Sequence, residues 1–538
     1  MLDARYKVAI ELYPYARVAD QDAPAPVRHP VVIVGGGPVG MAMALDLGRQ
    51  GIAALVLDDH AGVGMGSRAI CFAKRTLEIC DRLGCADPMV DKGVVWNVGR
   101  VYRGTEEVYN FNLLPEDGHK RPAFINLQQP YFEQYVVEEI RRQQAAGAPI
   151  EIRGENRVSA MVTHADHVVL DIDTPEGPYR IEADWLIAAD GASSPIRSMM
   201  DLGFEGRVFE DNFLIADIRM TADFPTERRF WFDPPFNPGE TALLHKQPDD
   251  VWRLDFQLGW DIDRKAELAD DAVRARVKGM IGDKIDFELV WTSIYTFRCC
   301  TMENYRHGPV FFVGDSAHQV SPFGARGCNG GIQDIDNLGW KLARVLHGHA
   351  PEALLETYHV ERKHGARENI LNSSRSADFL TPRNPAHELF RDAVLDLVEQ
   401  YDFAKPLVNS GRLSMPCVYD GSPLNGADAL LGAPARSRPG ASCPDAPVEG
   451  GFLLDMLGDG FQVLALNATA PALPDMPGAP IDLITLEVGA DSALAERYLG
   501  TATTGVYLLR PDQHVVARWT TAETHDIATA LQTALGQN

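Results

Sequence analysis

Basic residues are in short supply in this chain: Lys and Arg total 50 against 75 Asp and Glu, a formal net charge of −25. So acidic a surface repels a nucleic-acid backbone, and no run of Lys and Arg offers a local exception, so nucleic acid is not expected as a partner. Long apolar runs are missing too. No stretch reaches the ~18 apolar residues of a membrane-spanning helix, and the early acids Asp3, Glu11, Asp20 and Asp22 break the basic-then-apolar pattern of a secretion signal. Cysteine is sparse and scattered, at Cys71, Cys80, Cys85, Cys299, Cys300, Cys328, Cys417 and Cys443. No C-x-x-C pair and no metal-binding Cys/His spacing occurs, so neither dithiol redox chemistry nor a metal site is expected, and a reducing cytoplasm suits the chain.

What is present is a series of strands that run into turns. With 538 residues, 45% of them apolar, the chain can fill several cores at roughly 100–200 residues each. The β-branched run Val31-Val32-Ile33-Val34 passes directly into Gly35-Gly36-Gly37-Pro38-Val39-Gly40 and then into Met41-Ala42-Met43-Ala44-Leu45. Strand, glycine turn and helix in that order form a dinucleotide fingerprint. Gly35 permits the tight turn, Gly37 lets backbone amides approach a pyrophosphate, Pro38 suits a first helical turn, and Gly40 lets the helix close on the sheet. The phosphates then face a positive helix end. The next strand, from Ile52 to Leu57, ends at Asp58, an acid placed for the adenosine ribose hydroxyls, with Asp59 as the neighbouring alternative. Residues 1–29 are proline-interrupted and are expected to form an N-terminal arm on the surface.

Two later stretches repeat the strand-to-turn pattern. Ala183 to Ala189 leads into Asp190-Gly191 and on to Ser194-Pro195-Ile196-Arg197. Gly308 to Val313 leads into Gly314-Asp315-Ser316, followed by Ser321-Pro322-Phe323-Gly324-Ala325-Arg326-Gly327-Cys328-Asn329 and a long helix through Asn337, Trp340 and Lys341. Asp315 can hold a ribityl chain, and amides at Gly327 and Asn329 can point at the pyrimidine edge of a flavin, whose reduced form is an anion. Between the first fingerprint and these two, Ser67-Arg68-Ala69-Ile70 precedes Arg75-Thr76-Leu77-Glu78, and Gln129-Pro130-x-x-Glu133 opens a helix.

Together these segments resemble the aromatic-ring hydroxylases, the single-component FAD monooxygenases related to para-hydroxybenzoate hydroxylase, and the likeness covers nearly everything from about residue 30 onward. The resemblance implies roles for individual residues. Arg68 lies near the FAD pyrophosphate or isoalloxazine, and Gln129, or else Gln128, contacts FAD. Asp190, Gly191, Ser194 and Arg197 serve FAD and the nicotinamide nucleotide. Gly314, Asp315, Gly327, Cys328 and Asn329 hold the flavin, and Pro322 with its carbonyl meets the flavin or nicotinamide. It also implies the chemistry: NADH or NADPH reduces FAD, O2 adds to give a flavin C4a-hydroperoxide, and a phenol is hydroxylated.

The expected fold is α/β: a Rossmann-like FAD-binding domain in two pieces (30–199 and 306–406), an interleaved β-sheet substrate domain (200–305), a linker (407–445) and a C-terminal unit (446–538). The last resembles the thioredoxin-like domain of the phenol-hydroxylase branch, without a C-x-x-C. In the substrate segment Arg229 to Phe232, Thr241 to Lys246 and Trp252 to Leu258 alternate polar and apolar and read as strands. His245, Arg253 and Gln257 are candidate polar contacts there, the first two also candidate catalytic groups, whereas Tyr305, Arg306 and His307 are expected at the surface. A small phenolic acid is the expected substrate and a homodimer the expected assembly. Polyketide-tailoring hydroxylases and Baeyer–Villiger oxygenases share the plan, and an FAD-binding protein without oxygenase activity is the reading from another class. The W-x-W-x-I-P signature of flavin halogenases is absent.

Overall fold

The computed structural model describes residues 12–64, 69–114, 116–208, 211–322, 324–382, 384–398, 400–408, 415–476 and 478–537. Its first layer is an eight-stranded sheet built around Val27–Val34. That strand lies parallel to Tyr179–Ala188 on one side and to Ala54–Leu57 on the other, and the parallel set continues outward to Val310–Phe312 and Ile150–Arg153. Strands covered on both faces need apolar side chains throughout, and Val31, Val32 and Ile33 are wholly buried. Five helices carry or support the site: α1 (Pro38–Arg49), α2 (Lys74–Leu83), α3 (Gln129–Ala145), α4 (Gly327–Leu346) and α5 (Glu356–Leu380). Helix α1 opens on Pro38, and its residues Gly40 to Gly48 are buried without interruption.

The first strand starts at Val27, inside the expected arm. Pro30 is tolerated because it falls between the paired residues His29 and Val31, and the neighbouring strand at Ala54 begins pairing only at Val31. The arm also reaches inward. Leu12 and Tyr13 are buried in the main core, and the Tyr13 hydroxyl donates to the Gly36 carbonyl (3.3 Å).

A seven-stranded sheet forms the second layer, in the order 288–295, 212–219, 251–259, 241–246, 228–232, 98–103 and 106–112. The three expected strands are present, and the turn between two of them places Asp249 and Asp250 at positive φ (62° and 56°). Two strands come from far upstream of residue 200: Val98–Arg103 pairs parallel with Arg228–Phe232, and Glu106–Asn112 pairs with it in turn. This sheet is therefore assembled from two separated parts of the chain. One face, with Leu214, Ala216, Ile218, Leu244, Leu254 and Phe256, packs on Val273, Val277 and Ile281 of the helix Asp270–Ile281.

The third layer is a five-stranded mixed sheet at the C-terminal end, and it begins earlier than expected. Asp428–Ala429 already pairs with Arg518–Trp519, and Tyr419, Ser422 and Leu424 are buried. Much of the Pro- and Gly-rich stretch assigned to a linker is thus packed structure whose turns demand those residues. Tyr305 also departs from expectation. It is fully buried against Tyr358 and His318, because its backbone lies at the entry to the strand pair 306–307 and 310–312, deep under α5.

Charges hold the C-terminal layer to the first. Glu361 of α5 is fully buried and pairs with Lys341 of α4 (2.7 Å) and Arg510 (2.6 Å), and it also accepts from the Ser422 hydroxyl (2.6 Å). Burial pushes its carboxyl pKa up, but Arg510 and Lys341 outweigh that and hold it well below the usual carboxylate range. Removing one member of such a set leaves uncompensated buried charge, so Glu361→Ala is expected to cost about 3–5 kcal/mol, read as a lowered midpoint in chemical denaturation.

Candidate active site

The three turns singled out in the sequence stand side by side. Gly35, Asp190 and Gly314 follow the C-terminal ends of the adjacent parallel strands 27–34, 179–188 and 310–312. Backbone hydrogen bonds continue across the rim, from Ala189 N–H to Val34 O (2.8 Å) and from Val313 N–H to Ala188 O (3.1 Å). The crevice outside the carboxyl ends of parallel strands is where this architecture binds nucleotides.

The glycines divide by what surrounds them. Gly35 has φ +111°, and a Cβ there would lie 2.5 Å from Ala189 O; on Gly40 it would lie 1.9 Å from Gly35 O. Both are close-approach glycines. A Cβ on Gly37, by contrast, meets nothing within 4 Å, so the start of α1 opens onto a cradle that a side chain would fill. Asp58 accepts from the Gly36 amide (2.5 Å) and the His60 amide (2.8 Å), which fixes it at the edge of that cradle. The donor set and the open space at Gly37 fit a dinucleotide pyrophosphate and ribose.

Helix α3 anchors the next segment. Gln129 accepts from the Ala69 amide (3.1 Å) and donates to Glu133 (2.7 Å), whose other oxygen accepts from the Gly64 amide (3.1 Å). The pair therefore holds both ends of the segment carrying Arg68, which lies outside the described residues. Gln128 turns away and donates to Pro248 O (3.1 Å).

Asp190 accepts from the Ile196 amide (2.9 Å), and Gly191 at φ +78° has open space where a side chain would stand. Ser194 caps the helix beyond it by accepting from Arg197 N–H (3.0 Å). The Arg197 guanidinium donates to Ser316 O and Ala192 O, each at 2.9 Å, and lies 4.0 Å from the Phe204 ring centroid. It ties the second turn to the third.

At the third turn, Asp315 is exposed beside the start of α4, and a Cβ on Gly327 would lie 3.8 Å from its carboxylate. Cys328 sits in the first turn of α4, its thiol pushed up by burial and by Asp315 and Glu133. The Asn329 side chain is wholly engaged by protein: its oxygen accepts from Ala73 N–H (2.9 Å) and the Thr76 hydroxyl (2.6 Å), and its amide donates to Cys71 O (2.9 Å). What it can offer outward is its backbone N–H. Pro322 is exposed, with its carbonyl accepting from Ala325 N–H (3.1 Å).

Sequence reasoning gave no role to Asp334. This buried acid accepts from Gly314 N–H (2.8 Å), His318 (2.7 Å) and Arg362 (2.6 Å), so it fixes the third turn from behind. A helix residue facing back toward a Gly-Asp turn was the available signal.

The face of the seven-stranded sheet turned away from the helix Asp270–Ile281 carries the remaining groups. Strand pairing sets His245 beside Arg253, and Arg253 beside Asp217. Arg253 is buried in a two-pronged ion pair with Asp217 (both contacts 2.7 Å). Gln257 accepts from Thr241 (2.9 Å). His245 stands 3.9 Å from the Cys71 thiol; burial, then Arg228 and Arg253, push its pKa well down, and Nε2 has no partner among the described residues. Asp255, two residues beyond Arg253 on the same face, has an unpartnered Oδ1, and burial pushes its pKa up to about 6 against the pull of Arg253. Arg228 lies over the Trp96 ring (6.0 Å) with no ion-pair partner among the described residues. These last two were missed because each sits in an ordinary alternating strand.

Fold and site define an FAD-dependent oxidoreductase of the flavin-monooxygenase class. The chain belongs to the family described as FAD binding domain, which matches residues 28–373. It is 32% identical over 371 residues to a Rhodococcus jostii protein described as "Probable NADH-specific resorcinol 4-hydroxylase", covering 68% of each chain. It is 28% identical over 537 residues to the 12-dehydrotetracycline 5-monooxygenase/anhydrotetracycline 6-monooxygenase of Streptomyces rimosus, covering 95% of this chain and 99% of the relative. The solved structure of the flavin-dependent monooxygenase PieE with FAD and substrate shares the fold, with a TM-score of 0.77 at 23% identity over 96% of this chain and 100% of PieE. The cofactor is FAD, and among the described residues no helix is long and apolar enough to cross a membrane.

Gly37→Val fills the cradle and is expected to weaken FAD binding by about 1–3 kcal/mol. Asp315→Ala, removing an acceptor, is expected to do so by about 1–3 kcal/mol. Both are read by fluorescence titration of FAD. A third expectation concerns Glu133, whose pKa burial lifts to about 7. The folded state holds its proton more tightly than the unfolded chain, so its contribution to stability is full below the unfolded carboxyl pKa. It declines as pH rises to about 7. Glu133→Gln should flatten that decline in melting temperature against pH.

Proposed function

We propose that the chain hydroxylates a small phenolic substrate that carries a second, anionic group, and that the substrate lies between the inner face of the seven-stranded sheet and the start of α4. The observation that carries this reading is Arg228. A half-buried guanidinium with an aromatic ring beside it and no carboxylate partner among the described residues suits an anionic aromatic ligand. Bound FAD supplies reducing equivalents from the nicotinamide nucleotide and the transfer of one oxygen atom from O2. The chain's own residues then have distinct tasks. Arg228 receives the anionic group and Trp96 stacks beside it. Asp255 accepts the phenol proton at its unpartnered oxygen, which makes the ring more electron-rich, and neutral His245 offers Nε2 to the same hydroxyl. Arg253, held by Asp217, is a positioning residue that keeps Asp255 ionisable. Asp315 and the amides of Gly327 and Asn329 orient the flavin, and Arg197 and Asp334 hold their turn. The Pro322 carbonyl lines the entry to that loop.

The Streptomyces relative, matched over nearly its whole length, supports a second reading, an enolised polyketide as the substrate. Arg228 would serve its enolate equally. The reading extends to a homodimer and to a reducing cytoplasm, a compartment in which the eight cysteines stay free.

Ionised Asp255 is the active form in this scheme, so kcat/KM for a phenol is expected to rise with pH through about 6 and then level off. Asp255→Asn should lower kcat by about 100-fold or more and abolish the rise. Arg228→Met should raise KM for phenolic acids, leaving KM for the uncharged phenol unchanged. Equal effects of Arg228→Met on charged and uncharged phenols would sink the assignment.

A further inference from the structure

A turn of the C-terminal sheet reaches the helices of the flavin site. Strands Gly505–Leu509 and Val515–Trp519 are joined through Arg510 to Gln513, with Gln513 at φ +54°. Arg75 of α2, which is 3% exposed, donates to the Gln513 side-chain oxygen (3.0 Å), to Asp512 O (2.8 Å) and to Asp336 of α4 (2.9 Å). Asp336 also takes Arg82 (2.8 Å), whose second nitrogen binds Asp46 of α1 (2.9 Å). One row of buried ions therefore joins α1, α2 and α4 to the turn. The helix α2 begins at the flavin loop: Thr76, the residue after Arg75, donates to Asn329, which is also tied to Ala73 and Cys71. A helix moves as a rigid rod over one turn, so wherever the turn sets Arg75 it also sets Thr76.

We propose that the turn Arg510–Gln513 is a positioning element of the flavin site, acting through Arg75 and Thr76 on the placement of Asn329 at the start of α4. This gives the C-terminal sheet a task in the oxidoreductase besides its own folding. The inference rests on the reading that the start of α4 faces the flavin, so its test includes a variant that addresses that reading alone.

The test uses full-length holoenzyme and measures the Kd for FAD, the shape of the bound flavin's absorption bands and the melting temperature. In Gln513→Gly the left-handed backbone is eased while the contact to Arg75 is lost. In Gln513→Asn the turn is kept by a residue that tolerates positive φ but is too short to reach Arg75. Arg436→Ala is the control. It breaks another tie of the C-terminal layer, to Glu116 in the loop after strand 106–112 (2.9 Å), away from Arg75 along the chain. Asp315→Ala, at the turn beside the start of α4, tests the site reading. The expected result is a rise of about three- to tenfold in Kd for FAD and altered band shape in both Gln513 variants, weakened FAD binding in Asp315→Ala, and wild-type values in Arg436→Ala. If Asp315→Ala weakens FAD but both Gln513 variants bind and absorb as wild type, the positioning role is overturned. If Asp315→Ala also leaves FAD unchanged, the site reading fails with it. Equal loss of FAD in Arg436→Ala would assign the effect to docking in general and overturn the proposal as well.

Discussion

Parallel strands that end at one level impose the organisation of this molecule. Because 27–34, 179–188 and 310–312 are hydrogen-bonded neighbours, their first residues beyond the sheet must share a rim, and each turns there through glycine or an aspartate. Helix starts then converge on that rim, α1 at the first turn and α4 beyond the third, and their unpaired amides favour the negative charge of a pyrophosphate and a reduced flavin. Side chains that might be taken for cofactor ligands, Arg197 and Asn329 above all, spend their polar groups holding the rim together.

Buried charge has the same function one layer further out. Asp334 with His318 and Arg362, Asp336 with Arg75 and Arg82, and Glu361 with Lys341 and Arg510 all tie α4 to its surroundings. Such sets contribute little net stability against an apolar core of equal volume, but they fix relative placement because breaking any one strands the others. A flavin enzyme needs such fixity wherever amides must meet a flat ring, and α4 is the helix that these charges hold.

The three turns and the strands around His245 are legible in the sequence because each rests on local pattern: an apolar run, then glycine and a helix, or a polar–apolar alternation. The open space beside Gly37 agrees with its place in that pattern. Where the chain folds back over long distances the signal fails. Strands 98–103 and 106–112 alternate like any exposed hairpin, and nothing local reveals that they extend a sheet more than a hundred residues away. Tyr305 reads as a surface residue because Arg306 and His307 come next, yet α5, which buries it, lies about fifty residues on. The 407–445 stretch resembles a linker because tight turns within a packed layer and free connections use the same residues. Arg228 and Asp255 cannot be distinguished from ordinary sheet residues until their missing partners are visible.

An oxygenase whose oxygen goes into a phenol is tested most directly by one measurement: NADH and NADPH oxidation by the FAD-loaded protein, with and without a panel of phenols, phenolic acids and polyketides, with products weighed by mass spectrometry. The expected result is that a phenolic acid accelerates nucleotide oxidation and gains the mass of one oxygen atom. Nucleotide oxidation at the same rate with and without every compound, and no product heavier by oxygen, would contradict it.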